Sequence, residues 1–127
     1  MFKDAPVLYV DRDVDSCEMI LCWLKLNGCE AISVNSSAEA LQLLEQHKFD
    51  LIITEYNLRD GTGVELCHKV RQKYPGMPFI LNTTNARPSV RLEAATEGMH
   101  FLPKPTNVDL LSQIVGSIVG CSSDQVT

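Results

Sequence analysis

Three short runs of this chain, PVLYV (Pro6–Val10), DLIIT (residues 50–54) and PFIL (residues 78–81), are apolar almost from end to end. A strand with one wet face alternates apolar and polar residues, so runs without alternation belong to strands covered on both faces. CEAISV (residues 29–34) and HFL (residues 100–102) read as two further strands, and a helical pattern follows each of the five. Residues 14–27 carry Cys17, Ile20, Leu21 and Leu24 at i, i+3, i+4 and i+7, with Gly28 as the stop. Ser36 stands three residues before Glu39, a capping-box signature for a second helix. Residues 63–73, ended by YPG, predict a third, and residues 88–97, with Pro88 near the first turn, a weaker fourth. Residues 107–119 place Val108, Leu111, Val115 and Ile118 on one face of a fifth. Five strand-helix repeats predict an α/β fold with a parallel sheet between two helical layers.

The chain has 127 residues, 45% hydrophobic and 21% charged, which suits one domain, expected over residues 1–120 with residues 121–127 as a tail or the start of a linker. Its formal charge of −5 lacks the basic excess of a nucleic-acid binder, so direct nucleic-acid contact is not expected. Cys17, Cys22, Cys29, Cys67 and Cys121 form no C-x-x-C pair and are odd in number; they read as reduced core residues of a cytoplasmic protein. The first apolar run is too short for a membrane span or signal peptide, so no membrane partner is expected. Met19, Trp23 and Leu26 make a second apolar stripe on the first helix. It either packs against the fifth helix or presents a partner surface around Trp23.

In parallel sheets of this kind ligands sit at the carboxyl ends of the strands, beside the switch in strand order. The residues there are DRD (residues 11–13), Glu55, NTTN (residues 82–85) and PKP (residues 103–105). Each has a local explanation: Asp13 as a helix cap, Thr83 or Thr84 in a turn, Lys104 as a surface charge. Acids, hydroxyls and a lysine on one rim together point to a site.

VLYVDRD, DLIITEYNLRDGTG, PFILNT and LPKP, taken in that order, resemble the receiver domain of two-component response regulators, chemotaxis-regulator-like, over nearly the whole chain. The resemblance implies a flavodoxin-like (βα)5 fold, doubly wound, with strand order 2-1-3-4-5. It makes Glu55 the equivalent of the phosphoacceptor, Asp11, Arg12 and Asp13 the acidic or charged pocket, Thr83 and Phe101 the switch pair, and Lys104 the lysine of the motif. It also implies a signal-transduction module rather than an enzyme, acting through a histidine kinase, an output domain or another signalling protein. Residues 87–119 would form the output face and a possible homodimer contact.

Against that family the sequence departs at its chemistry. Glu55 stands where the family has aspartate, and its carboxyl lies one methylene, ~1.5 Å, farther out. Near-attack geometry tolerates little of this: a misplacement of ~1 Å costs ~10²-fold. Arg12, always protonated, stands where a second metal-binding acid belongs. Thr84 replaces a very small residue and narrows access; Arg59 replaces a proline, with no function assigned. The expectation is a phosphorylation-independent pseudo-receiver in which Glu55 pairs with Lys104, Arg12 or both. No cofactor is expected, with Mg²⁺ weak or absent; any metal would fall to Asp11, Glu55 and Asn57. Two alternatives stay open: a conventional receiver using Asp60 as acceptor, and a haloacid-dehalogenase-type phosphohydrolase using Asp11 and Asp13, with Thr83 and Lys104 as later motifs.

Overall fold

Val7, Leu8, Tyr9 and Val10 are all without solvent exposure, as are Leu51, Ile52 and Ile53, which requires cover on both faces of the strands that carry them. The computed structural model, which describes residue 2 and residues 4–120, supplies that cover. Counting the strands of the main sheet, β1 is Pro6–Val10, β2 Glu30–Val34, β3 Leu51–Thr54, β4 Phe79–Thr83 and β5 His100–Pro103. The helices are α1 Val14–Leu26, α2 Ser37–Gln46, α3 Gly63–Lys73, α4 Pro88–Thr96 and α5 Val108–Val119. All strand pairs are parallel and the order is β2-β1-β3-β4-β5, the order expected. The register sets Val7 between Ala31 and Leu51, and Leu81 between Thr54 and Phe101.

Because side chains alternate across each strand, the sheet feeds two cores. Leu8, Val10, Ile52, Phe79 and Leu81 point to one face, where Ala40, Leu44, Leu66, Val70, Val90 and Ala94 of α2, α3 and α4 close over them. Val7, Tyr9, Ile53 and Ile80 point to the other, under Ile20 and Leu24 of α1 and Leu111 and Val115 of α5.

Local chemistry sets the helix ends. Asp13 caps α1, its carboxylate accepting the Asp15 N–H, and Gly28 turns the chain with φ 95°. Ser36 Oγ accepts the Glu39 N–H, but Glu39 Oε1 accepts the N–H of Asn35 rather than that of Ser36, so the expected box closes one residue early. A feature not anticipated is a small antiparallel pair, Asn57–Leu58 with Gly61–Thr62, which folds the loop after β3 back on itself.

Several expected core positions lie outside the core. Met19 and Leu26 are 57% and 73% exposed, so of the second stripe of α1 only Trp23 packs against the core that α1 shares with α5. At ~100° per residue Leu26 faces ~160° away from the buried Leu24, while Trp23 is half-buried against Phe2 with ring centroids 5.7 Å apart. Val108, in the first turn of α5 ahead of Leu111, is exposed. Cys29 and Cys67 are buried, and burial raises both thiols, Cys67 to about 11, whereas Cys22 is exposed. The Cys17 side chain, Cys121 and the expected tail 121–127 lie outside the described residues.

Candidate functional site

Three charged side chains meet at the carboxyl edge of the sheet. Asp11 leaves β1 with its backbone N–H bonded to Val34 O, and Glu55 leaves β3 with its N–H bonded to Val10 O. Lys104 leaves β5 with its N–H bonded to Thr83 O. The sheet ladder therefore fixes all three backbones. Lys104 Nζ donates to Asp11 Oδ2 at 2.9 Å and to Glu55 Oε2 at 3.1 Å. The other oxygens are engaged too: Asp11 Oδ1 accepts the Asp13 N–H at 2.9 Å, and Glu55 Oε1 accepts the Tyr56 N–H at 2.7 Å.

Asp11 is 2% exposed, and the Lys104 and Glu55 side chains 15% and 12%. Burial alone would lower the pKa of the Lys104 ammonium. The Asp11 hydrogen bond and the Glu55 charge outweigh it, and the pKa ends above that of an ordinary lysine.

The surroundings hold this triad. A Cβ at Gly63 would collide with Glu55 O and the Thr54 side chain, so only glycine lets α3 begin this close to the Glu55 backbone. The start of α3 is locked by a capping box, Thr62 Oγ1 accepting the Glu65 N–H and Glu65 Oε1 accepting the Thr62 N–H. On the far side, fully buried Tyr9 donates to Asn82 Oδ1 at 2.6 Å. Asn82 Nδ2 donates to Leu102 O and Thr106 Oγ1, tying down both flanks of Lys104.

The triad forms part of the wall of an open pocket of about 370 Å³, completed by Arg12, Asp13, Asn57 and Thr84. The Glu55 carboxylate pairs with Lys104, and among the described residues Arg12 makes no ion pair with it; Arg12 is exposed at the rim. Thr83 is buried, and its hydroxyl accepts the Asn85 N–H at 3.0 Å instead of lining the pocket. Phe101 is half-buried against the core of α2, α3 and α4, with the Arg91 guanidinium 4.4 Å from its ring centroid.

One alternative assignment is corrected by these positions. Asp60 does not reach the pocket; its two oxygens accept the N–H groups of Ser37 and Ala38, each at 2.9 Å, so it caps α2. Those bonds, the Ser37 one foremost, lower its pKa. Asp13 caps α1 through Oδ1 while also lining the pocket beside Asp11.

A family model, described as the response regulator receiver domain, matches residues 7–116. The chain belongs to the response regulator receiver domain family. Among curated relatives of this receiver, the transcriptional regulatory protein GlrR of Escherichia coli K12 is 30% identical over 114 residues, covering 89% of this chain and 26% of GlrR. The response regulator protein FleR of Pseudomonas aeruginosa is 30% identical over 126 residues, covering 94% of this chain and 27% of FleR. The receiver thus spans about a quarter of the length of these relatives. Among solved structures, a two-component response regulator from Clostridium difficile superposes with a TM-score of 0.84 at 30% identity, covering 90% of this chain and 94% of that one. The chemotaxis protein CheY4 of Vibrio cholerae gives 0.82 at 29%, covering 90% and 98%. No helix among the described residues is long and apolar enough to cross a membrane.

Two residues of the receiver escaped the reading of motifs. Tyr56 Oη donates to both carboxylate oxygens of Glu93 on α4, at 3.2 and 3.1 Å, and burial together with Glu93 raises its pKa. The signal was a tyrosine directly after Glu55, since a part-buried phenol calls for a hydrogen-bond partner.

Proposed function

We propose that this receiver signals without accepting a phosphoryl group, with Glu55 as a fixed charge in the position of the family's acceptor aspartate. The observation that carries this reading is the state of the two inner carboxylates. Both are bound to Lys104, and each of their four oxygens already accepts a hydrogen bond. An attacking carboxylate needs near-attack alignment and a neutralising cation; the Glu55 carboxyl stands one methylene beyond an aspartate's, and the cation bonded to it here is an internal ammonium.

The residues do not fit Mg²⁺. The ion takes hard oxygen donors in octahedral geometry, whereas Asp11 and Glu55 are spent on Lys104, Asn57 is an exposed amide, and Arg12 adds a second positive charge to the pocket. Nor does Glu55 act as a full phosphoryl mimic, since it offers one charge in place of about two and the Thr83 hydroxyl is turned to Asn85. Its output is protein contact with a histidine kinase, an attached output domain or another signalling protein. Residues 87–119 form the contact face and a possible homodimer surface, where Leu92 is 67% exposed. Residues 121–127 serve as the tail or linker, and the module acts in the cytoplasm without touching nucleic acid or membrane directly.

Incubation with a small phosphodonor and Mg²⁺, followed by intact mass, tests this. The expected result is an unchanged mass. A stoichiometric phosphate adduct that disappears in Glu55→Gln overturns the reading.

A further inference from the structure

α4 supplies little of its own hold on the domain. Its buried residues are Val90 and Ala94, Arg87 at its N-cap makes no side-chain capping bond, and it has no acid in its first turn and no base in its last. Side chains from elsewhere hold it instead. At its C-terminal end Arg71 of α3 donates to Glu97 O, and midway Tyr56 donates to Glu93. Tyr56 belongs to the pocket: its N–H is bonded to Glu55 Oε1, and its carbonyl accepts the Gly63 N–H at 2.7 Å.

One residue therefore holds the Glu55 carboxylate with its backbone and α4 with its side chain. We infer that the Tyr56–Glu93 hydrogen bond carries the state of the Glu55–Lys104 pair to α4, regulating the helix beside the switch aromatic Phe101. When Glu55 Oε2 loses Lys104, the carboxylate rotates and Oε1 leaves the Tyr56 N–H. Tyr56 then loses the bond at its N–H and keeps the Gly63 bond at its carbonyl, and the ring shifts about that pivot. The phenol draws Glu93 with it, and α4, with two small buried residues, yields more easily than its neighbours. Glu93 lies two residues from Arg91, which covers the Phe101 ring, so displacement of α4 also uncovers that ring. Tyr56 and Glu93 are positioning residues in this scheme; neither touches a reacting atom.

The inference rests on the preceding reading only in taking the Glu55–Lys104 pair, rather than a phosphorylated side chain, as what sets the state of the pocket. Amide hydrogen exchange of the full chain tests it. Lys104→Met should change exchange of the α4 amides severalfold, and the same substitution in a Tyr56→Phe background should leave them within twofold. Glu93→Gln, which keeps an acceptor for the phenol, should preserve the response. If Lys104→Met does not fold, Glu55→Gln perturbs the same pair and replaces it. An α4 response of equal size in the Tyr56→Phe background, or no response of α4 to the pocket variant, overturns the inference. A chain that takes up phosphate yet keeps the Tyr56 dependence overturns only the preceding reading; one that refuses phosphate and ignores Tyr56→Phe overturns only this one.

Discussion

α3 and α4 are consecutive helices on the same side of the sheet, and they are built to opposite specifications. α3 starts with a closed capping box and a glycine pressed on the Glu55 backbone, buries Leu66, Cys67 and Val70, and ends with Arg71 and Lys73 against its dipole. α4 starts on an uncapped arginine and buries a valine and an alanine. The difference assigns them separate tasks: α3 is the fixed wall behind Glu55, and α4 is the part that Tyr56 and Arg71 hold in place from outside. The same contrast runs through the loop between β3 and α3, where Asp60 caps α2 while Tyr56 reaches α4.

Substitutions that attack the fixed wall should have the largest effects. Gly63→Val drives side-chain atoms into Glu55 O and Thr54, and should cost about 3 kcal/mol, read as a lower urea midpoint. A midpoint equal to that of the parent chain would remove the close approach from the account. Lys104→Met leaves Asp11 buried beside Glu55 without its cation. Because Lys104 keeps partial exposure, about 2 kcal/mol is expected rather than the ~3–5 of a fully buried pair. Thr62→Ala opens the capping box and should cost about 1 kcal/mol while α4 amide exchange stays as it was. Faster exchange in α4 alone would mean that the two helices are not independent. The smallest effect is a gain: Ser89→Glu supplies the acid α4 lacks in its first turn and should slow α4 exchange by about 0.5 kcal/mol without touching α3.

Acidity separates the groups differently. Asp60 has a lowered folded pKa, so the stability it contributes is complete above the ordinary aspartate pKa and is lost as pH falls through the lowered value. Lys104 has a raised folded pKa, so its contribution is complete below the ordinary lysine pKa and is lost as pH rises through the raised value. Urea midpoints measured across pH should therefore decline at both ends, with the acid-side decline reduced in Asp60→Asn.

What was legible in the sequence is what depends on neighbours along the chain. Continuous apolar runs announced β1, β3 and β4, Gly28 and Asp13 marked the ends of α1, and the order of acids, hydroxyls and lysine placed Asp11, Glu55 and Lys104 on one edge. What was not legible depends on partners far apart in sequence. Asp60 looked available until the N-terminus of α2 came within reach of it. Tyr56 and Glu93, 37 residues apart, are joined only once α4 lies over the loop after β3, and Tyr9 and Asn82, 73 residues apart, only once β1 and β4 flank β3. The choice between Lys104 and Arg12 as partner for Glu55 was undecidable from charge alone. The ladder bond from Lys104 N–H to Thr83 O aims the lysine inward, while Arg12 stays at the solvent edge.

The central claim is that an internal ion pair stands in this pocket where receivers use metal and phosphate. It is tested most directly by titrating Mg²⁺ against the backbone amide signals of residues 11–13 and 55–57, in the parent chain and in the double variant Arg12→Asp with Glu55→Asp. The account predicts no saturating shift in the parent chain and a saturating one in the double variant. Saturable Mg²⁺ binding by the parent chain, or none by the double variant, would contradict it.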